Sequence, residues 1–206
     1  MDNKTIATYN RLAQGYDDET ADFWEKFPRT FLDQFVSLSG TTILDVGSGP
    51  GRDGLLLQEA GKEVMCLDAS EEMVKLSSER GLPSVVGDFM GLPFPDAAFD
   101  GVWAYTSLLH VPKAVVGSAF EEVVRVLKDG GMLGLGFIGG GQELYRENLG
   151  EGNPRWFSYY MKEEVERLVE RQGCEPVYFE SFPAGKSGSK DYLNFIFRKV
   201  MKSDQS

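Results

Sequence analysis

Residues 43–54 read ILDVGSGPGRDG, a short apolar run followed by Gly47, Gly49, Gly51 and Gly54. A glycine-rich turn behind a strand lets a ligand approach bare backbone, and dinucleotides, nucleotide phosphates and sulfonium cofactors all use such turns. The dinucleotide fingerprint G-x-G-x-x-G places its third glycine where the helix packs closely on the strand. Here the spacing is Gly47-x-Gly49-x-Gly51, and Arg52 holds that third position. A phosphate-cradling Walker loop ends in Gly-Lys-Ser/Thr, and this turn, which runs on as Gly51-Arg52-Asp53, does not. Both phosphate readings weaken, but the turn alone leaves them open.

Outward from the turn, short apolar runs alternate with helical periodicity. Thr42–Val46, Glu63–Leu67, Pro83–Val86, Phe99–Ala104 and Met132–Ile138 read as strands. Between them, Arg52–Ala60, Ser70–Ser78 and Ala114–Lys128 read as helices, the last closed by Asp129-Gly130-Gly131. Ser70 is a good N-cap, and Glu71 and Glu72 suit the positive end of the helix dipole. This alternation implies βαβ units and a parallel sheet covered on both faces, with ligands beyond the carboxyl ends of the strands. The first forty residues are expected to be helical, with Phe23, Phe27, Phe31, Phe35 and Leu38 on one apolar face. The stretch 139–156, GGGQELYRENLGEGNPRW, is expected to be a long functional loop. A helix over Lys162–Gln172 follows, with Met161 where a Ser or Thr cap is usual. The strands Glu175–Phe182 and Tyr192–Val200 complete the pattern, the second with the look of an edge-region strand.

Composition narrows the function. The 206 residues carry a net charge of −11, a field that repels polyanions and argues against nucleic acid or an anionic membrane as partner. Cys66 and Cys174 lack CxxC spacing and read as buried free thiols of a reducing compartment. One histidine, His110, excludes a His-rich metal site, so no metal is expected. No signal core or bilayer-length apolar run is visible, and a cytoplasmic location is expected.

Three acidic residues then take strand-end positions. Asp45 lies in the first strand, Asp68 ends the second about 20 residues after the turn, and Asp88 follows the third. Asp45 is equally read as a turn cap, whereas a carboxylate ending a buried strand, as Asp68 does, needs a partner. The order DVGSGPG, LDAS, GDFMGLPFPDAAFDGVWA and LKDGGMLGL resembles the class I S-adenosylmethionine-dependent methyltransferases over roughly Tyr9 to Phe137.

The resemblance implies a Rossmann-like three-layer α/β sandwich, its sheet seven-stranded and mostly parallel with an antiparallel last strand. It implies one domain: a helical lid over 1–39, a cofactor-binding core over 40–138, and an acceptor loop, last helix and final strands over 139–206. Gly47, Ser48 and Gly49 would lie against the methionine part of the cofactor, beside Asp45, and Asp68 would hold the ribose. Ala69 and Met73 would flank the adenine, Asp88 would accept from its amino group, and Phe89 with Met90 would meet its edge. Tyr105 would line the methionine end. TYNRLAQGYDD resembles the closing helix of small-molecule members, with Tyr9 and Tyr16 as lid residues, although Asn10 stands where an aspartate is common. S-adenosylmethionine is cationic at sulfur and carries no phosphate, which suits acidic strand ends.

The acceptor is less legible, because methyl transfer chiefly needs alignment. His110, just past the fourth strand, is a candidate base or orienting group, or else a structural loop histidine. Arg155, Tyr159 and Tyr160 are candidate acceptor contacts, while Arg146 is read as a solvated surface residue. The Asn/Asp-Pro-Pro-aromatic signature of nucleic-acid amino-methylating relatives is absent from AYTSLLHV. The favoured reading is O- or N-methylation of a small molecule by a monomer or homodimer. A non-catalytic cofactor-binding module, a protein side-chain methyltransferase and a nicotinamide oxidoreductase are the alternatives.

Overall fold

A computed structural model describes residues 2–183 and 190–201; the parts of the expected 139–206 segment at 184–189 and 202–206 lie outside these. The amino-terminal helical region divides into α1 (Asn3–Thr20), α2 (Phe23–Lys26) and α3 (Thr30–Leu38). Asp2 caps α1 by accepting from Thr5 N at 2.9 Å. The chain then enters β1 (Thr42–Val46), passes the glycine turn, and continues through α4 (Arg52–Glu59), β2 (Glu63–Asp68), α5 (Glu71–Glu79) and β3 (Ser84–Val86). Ser70 caps α5 as expected, accepting from Met73 N at 3.2 Å.

After β4 (Phe99–Tyr105) and a short 3-10 turn at Leu108–His110 comes α6 (Val116–Val126). This helix stops earlier than its sequence pattern suggests. Leu127 is already extended and pairs with Phe99, so β5 (Leu127–Ile138) begins there and the Asp-Gly-Gly turn falls inside a bulge of the strand pairing. Lys199 Nζ ends the helix by donating to the carbonyls of Val124 and Leu127 at 2.9 and 2.7 Å.

The 139–156 stretch is ordered rather than a plain loop. β6 (Glu143–Arg146) and β7 (Arg155–Ser158) form an antiparallel ribbon of their own. Then come α7 (Lys162–Glu170), β8 (Cys174–Pro183) and β9 (Asp191–Lys199). At the start of α7, Glu164 Oε2 accepts from Met161 N at 3.4 Å, a partial substitute for the missing hydroxyl cap.

The seven-stranded sheet has the order β3-β2-β1-β4-β5-β9-β8. The first five strands are parallel, and β9 runs antiparallel to both β5 and β8. β9 is therefore interior, not an edge strand. Its residues Leu193 to Phe197 are buried, and β8 takes the rim. Alternation along β4 serves both faces. Val102 and Ala104 join the core under α6 and α7, while Trp103 and Tyr105 join the core under α3 and α4. Phe31 stacks on Trp103 with ring centroids 4.6 Å apart. The molecule is a Rossmann-like three-layer sandwich. Among the described residues no helix is long and apolar enough to cross a membrane.

Candidate active site

The carboxyl ends of β1, β2 and β4 open into a cavity of about 580 Å³, roofed by α1 and by the β6–β7 ribbon. The glycine turn forms part of its floor. Gly47 has φ +70°, and a Cβ there would stand 2.4 Å from Ser107 Cβ, so only glycine fits. Gly51 has φ +84°, and its Cβ would meet Leu82 and Ser77 at under 3 Å, so this glycine lets α4 pack closely on its neighbours.

Asp45, Asp53 and Asp68 all line the cavity, and among the described residues none is held in a salt bridge. Asp68 accepts from Gly49 N and from Ser70 N, both at 2.8 Å, so the turn and the α5 N-terminus hold its carboxylate in place. Burial raises its pKa, and the N–H groups of Ser70, Gly49 and Ala69 oppose that rise. Asp45 is shifted well upward by burial and by the charges of Asp53 and Asp68, and its Oδ2 has no hydrogen-bond partner among the described residues. Asp53 accepts from the indoles of Trp24 at 2.6 Å and Trp103 at 2.9 Å; burial raises its pKa and these donors pull it back. Arg52 lines the cavity, donates to the Thr20 carbonyl, lies over the Tyr16 ring and keeps a buried Nε without a partner among the described residues.

The opposite wall centres on His110. Its Nδ1 lies 2.5 Å from the Trp156 carbonyl, which can only accept, so Nδ1 carries the proton. Nε2 then accepts from the Tyr9 hydroxyl at 2.9 Å. Arg155 Nη1 donates to that same hydroxyl at 2.7 Å, and Nη2 donates to Asn148 at 2.8 Å. Burial lowers the His110 pKa to about 3, outweighing the Trp156 carbonyl that favours the charged ring, and nearby Arg155 pushes it further down. At neutral pH this histidine is uncharged, with both nitrogens engaged.

Of the residues singled out in the sequence, Tyr9, Tyr16, Gly47, Ser48, Gly49, Ala69, Met73, Phe89 and Tyr105 also line the cavity. Asp88 and Met90 stand outside the lining, Asp88 accepting from Met90 N at 3.3 Å and Met90 being exposed. Tyr159 and Tyr160 are fully buried behind the wall. Arg146 is no solvated surface residue: it lines the cavity and donates to the Tyr159 hydroxyl at 2.8 Å. Lys190 and Tyr192, at the start of β9, are cavity residues that sequence reasoning passed over. Asn10 Oδ1 accepts from Ser70 Oγ at 2.7 Å and so docks α1 onto the N-terminus of α5.

Residues 44–135 match a family model described as a methyltransferase domain. Over these residues the chain is similar to a methyltransferase domain, in keeping with the resemblance to the class I S-adenosylmethionine-dependent methyltransferases carried by its motifs. It is 36% identical over 143 residues to a demethylmenaquinone methyltransferase of Symbiobacterium thermophilum, covering 60% of this chain and 54% of that one. An uncharacterized methyltransferase of Staphylococcus carnosus is 26% identical over 168 residues, covering 81% and 77%. The chain spans about half the length of several curated relatives it matches. In fold it is similar to a methyltransferase from Methanosarcina mazei, with TM-score 0.74 at 20% identity over 85% of this chain and 99% of that one. It is also similar to the Burkholderia thailandensis 1,6-didemethyltoxoflavin-N1-methyltransferase, with TM-score 0.72 at 20% identity over 98% and 91%.

Proposed function

We propose that this chain binds S-adenosylmethionine and transfers its methyl group to an O or N atom of a small-molecule acceptor. The observation that carries the reading is the polarity of the cavity at the strand ends. At the strand ends three carboxyl groups outside any salt bridge, two of them buried and Asp45 with an orphaned Oδ2, suit a ligand that is cationic and phosphate-free there. A dinucleotide or nucleotide phosphate seated against the glycine turn would meet like charge from these strand-end carboxyl groups. The cavity volume is also in the range of small-ligand sites.

In this reading Asp68 receives the ribose hydroxyls, and Gly47, Ser48 and Gly49 present backbone to the methionine moiety beside Asp45. Ala69, Met73 and Phe89 flank the adenine, with Asp88 and Met90 at its outer edge and Tyr105 toward the methionine end. Arg52, beside the turn with its free Nε, suits the cofactor carboxylate. When bound, the cofactor would supply an electrophilic methyl group on a sulfonium leaving group. The protein's part is alignment and exclusion of water, with α1 as the roof. His110, neutral and engaged at both nitrogens, is a positioning residue that fixes Tyr9 against the ribbon. A roofed cavity supports a free small molecule over a protein side chain, and the buried free thiols of Cys66 and Cys174 support a cytoplasmic setting.

Calorimetric titration with S-adenosylmethionine, S-adenosylhomocysteine and NADH tests the cofactor, and labelled methyl transfer to a metabolite extract tests the reaction. Binding of NADH in preference to both sulfur nucleosides would remove the reading.

A further inference from the structure

The roof of the cavity concentrates positive charge. In the β6–β7 ribbon Arg146 and Arg155 are directly opposed partners, and both line the cavity. Like charges directly opposed across a ribbon repel, so the pairing is disfavoured unless an anion lies between them. Lys190 joins them from the start of β9, its Nζ 3.3 Å from the centroid of the Tyr159 ring. Alternation along the ribbon's second strand and beyond puts Arg155, Phe157 and Tyr159 on one face, and the three cations gather on those two rings. Arg146 and Arg155 lie 5.6 and 5.2 Å from the Phe157 ring centroid, and Arg146 also holds the Tyr159 hydroxyl.

Among the described residues none of the three forms a salt bridge, in a chain with 32 acidic residues against 21 basic ones. The acids of the ribbon are used elsewhere. Glu143 accepts from Lys113 N and Ser158 Oγ, and Glu147 accepts from Gly152 N. Arg155 is 5% exposed, and its Nε is buried with no partner. Ring faces of Tyr9, Tyr16 and Phe157 offset part of that burial, but a guanidinium placed this way is built to receive an oxyanion.

We infer that the acceptor is an anion, carrying a carboxylate or phosphoryl group that Arg146, Arg155 and Lys190 grip while its nucleophilic O or N faces the cofactor. This rests on the methyltransferase reading above and names the substrate class for it. The oxyanion is the handle: the methyl carbon leaves sulfur for the nucleophilic atom, and a proton on that atom leaves to water. The cofactor's own carboxylate has Arg52 beside the glycine turn, which leaves the ribbon cluster for the acceptor.

The test is to pass a metabolite extract over an anion-exchange resin at neutral pH and assay each fraction for labelled methyl transfer. Transfer confined to the retained fraction supports the inference, and phosphatase treatment of that fraction tells a phosphoryl handle, which is lost, from a carboxylate, which survives. Arg146→Met and Lys190→Met should each lower transfer from limiting retained acceptor by about tenfold or more. Their S-adenosylhomocysteine affinity and melting temperature should stay as in the parent. Transfer supported only by the unretained fraction, unchanged transfer in both variants, or a parallel loss of S-adenosylhomocysteine affinity overturns the inference alone. No transfer from any fraction by a parent protein that binds the cofactor overturns the methyltransferase reading itself.

Discussion

Tyr9 and His110 are joined by a 2.9 Å hydrogen bond in which the Tyr9 hydroxyl donates to Nε2, and this bond ties the roof helix to the end of the sheet. It requires a neutral imidazole. The folded-state pKa is about 3, below the ordinary 6.5, so the unfolded chain binds the proton first as pH falls. The contribution of His110 is therefore complete above pH 6.5 and shrinks between there and about 3, by up to about 1.4 kcal/mol per pH unit. Urea denaturation of the parent and His110→Gln at pH 7.5, 6.0 and 4.5 should show the stability gap narrowing as pH drops. A gap that is constant or widens would mean that the ring is protonated in place. Methyl transfer should likewise lack a histidine inflection near neutrality.

Gly47→Ala is expected to be severe for two independent reasons. The residue must hold φ +70°, which costs an L-residue roughly 1–2 kcal/mol, and its Cβ would overlap Ser107 Cβ at 2.4 Å. Ser107 cannot retreat freely, because its hydroxyl donates to the Val46 carbonyl at 2.7 Å. Cofactor affinity should fall by more than tenfold and the melting temperature should drop by several degrees. Adding Ser107→Gly should recover part of the stability, since it removes the overlap and leaves the backbone strain. Full recovery would show that φ at this position is unimportant.

How far these features could be read in the sequence depends on the range of the interactions behind them. The parallel core was legible, because Thr42–Val46 and its neighbours carry local apolar runs and local caps such as Ser70. Asp68 was legible for the same reason, standing at a strand end where burial demands a partner. Three things were not. The early end of α6 is decided by pairing of Leu127 with Phe99 and by Lys199, 72 residues further on. Arg146 looks solvated in a polar stretch until the ribbon sets it opposite Arg155. Lys190 reaches the cavity only because β9 is inserted antiparallel between β5 and β8, a fact of topology with no local signature.

Asp68→Ala should weaken S-adenosylhomocysteine binding on the order of 10²-fold, because it removes a charged acceptor for two hydroxyl donors. It also strands the N–H groups of Gly49 and Ser70, which now donate to the carboxylate at 2.8 Å. Asp68→Asn keeps one acceptor oxygen and should lose less than the alanine variant. Calorimetric titration of both variants checks this, and equal affinity in all three proteins would withdraw the ribose assignment.

Asp45→Asn should act in opposite directions on stability and on binding. Asp45 is shifted well upward by burial and by Asp53 and Asp68, so its folded-state pKa exceeds the ordinary 3.8. The folded protein then binds this proton more tightly than the unfolded chain does. Stability is lost as pH rises from about 3.8 through the folded pKa, so above that range holding this carboxyl group buried is a standing cost. Asparagine abolishes the charge while occupying nearly the same volume. Without ligand, the variant should melt about 2–4 °C higher at pH 7.5 for each 1 kcal/mol relieved, and this gain should vanish toward pH 4. With ligand the order should reverse. A cationic ligand, which favours the ionised form of Asp45, loses that carboxyl group as a partner, so saturating S-adenosylmethionine should raise the melting temperature less in the variant than in the parent. S-adenosylhomocysteine, which lacks the sulfonium charge, should discriminate between the two proteins less than S-adenosylmethionine does. If both ligands stabilise the variant and the parent equally, the carboxylate cluster does not read the sulfonium, and Asp45 is only the cap of the glycine turn.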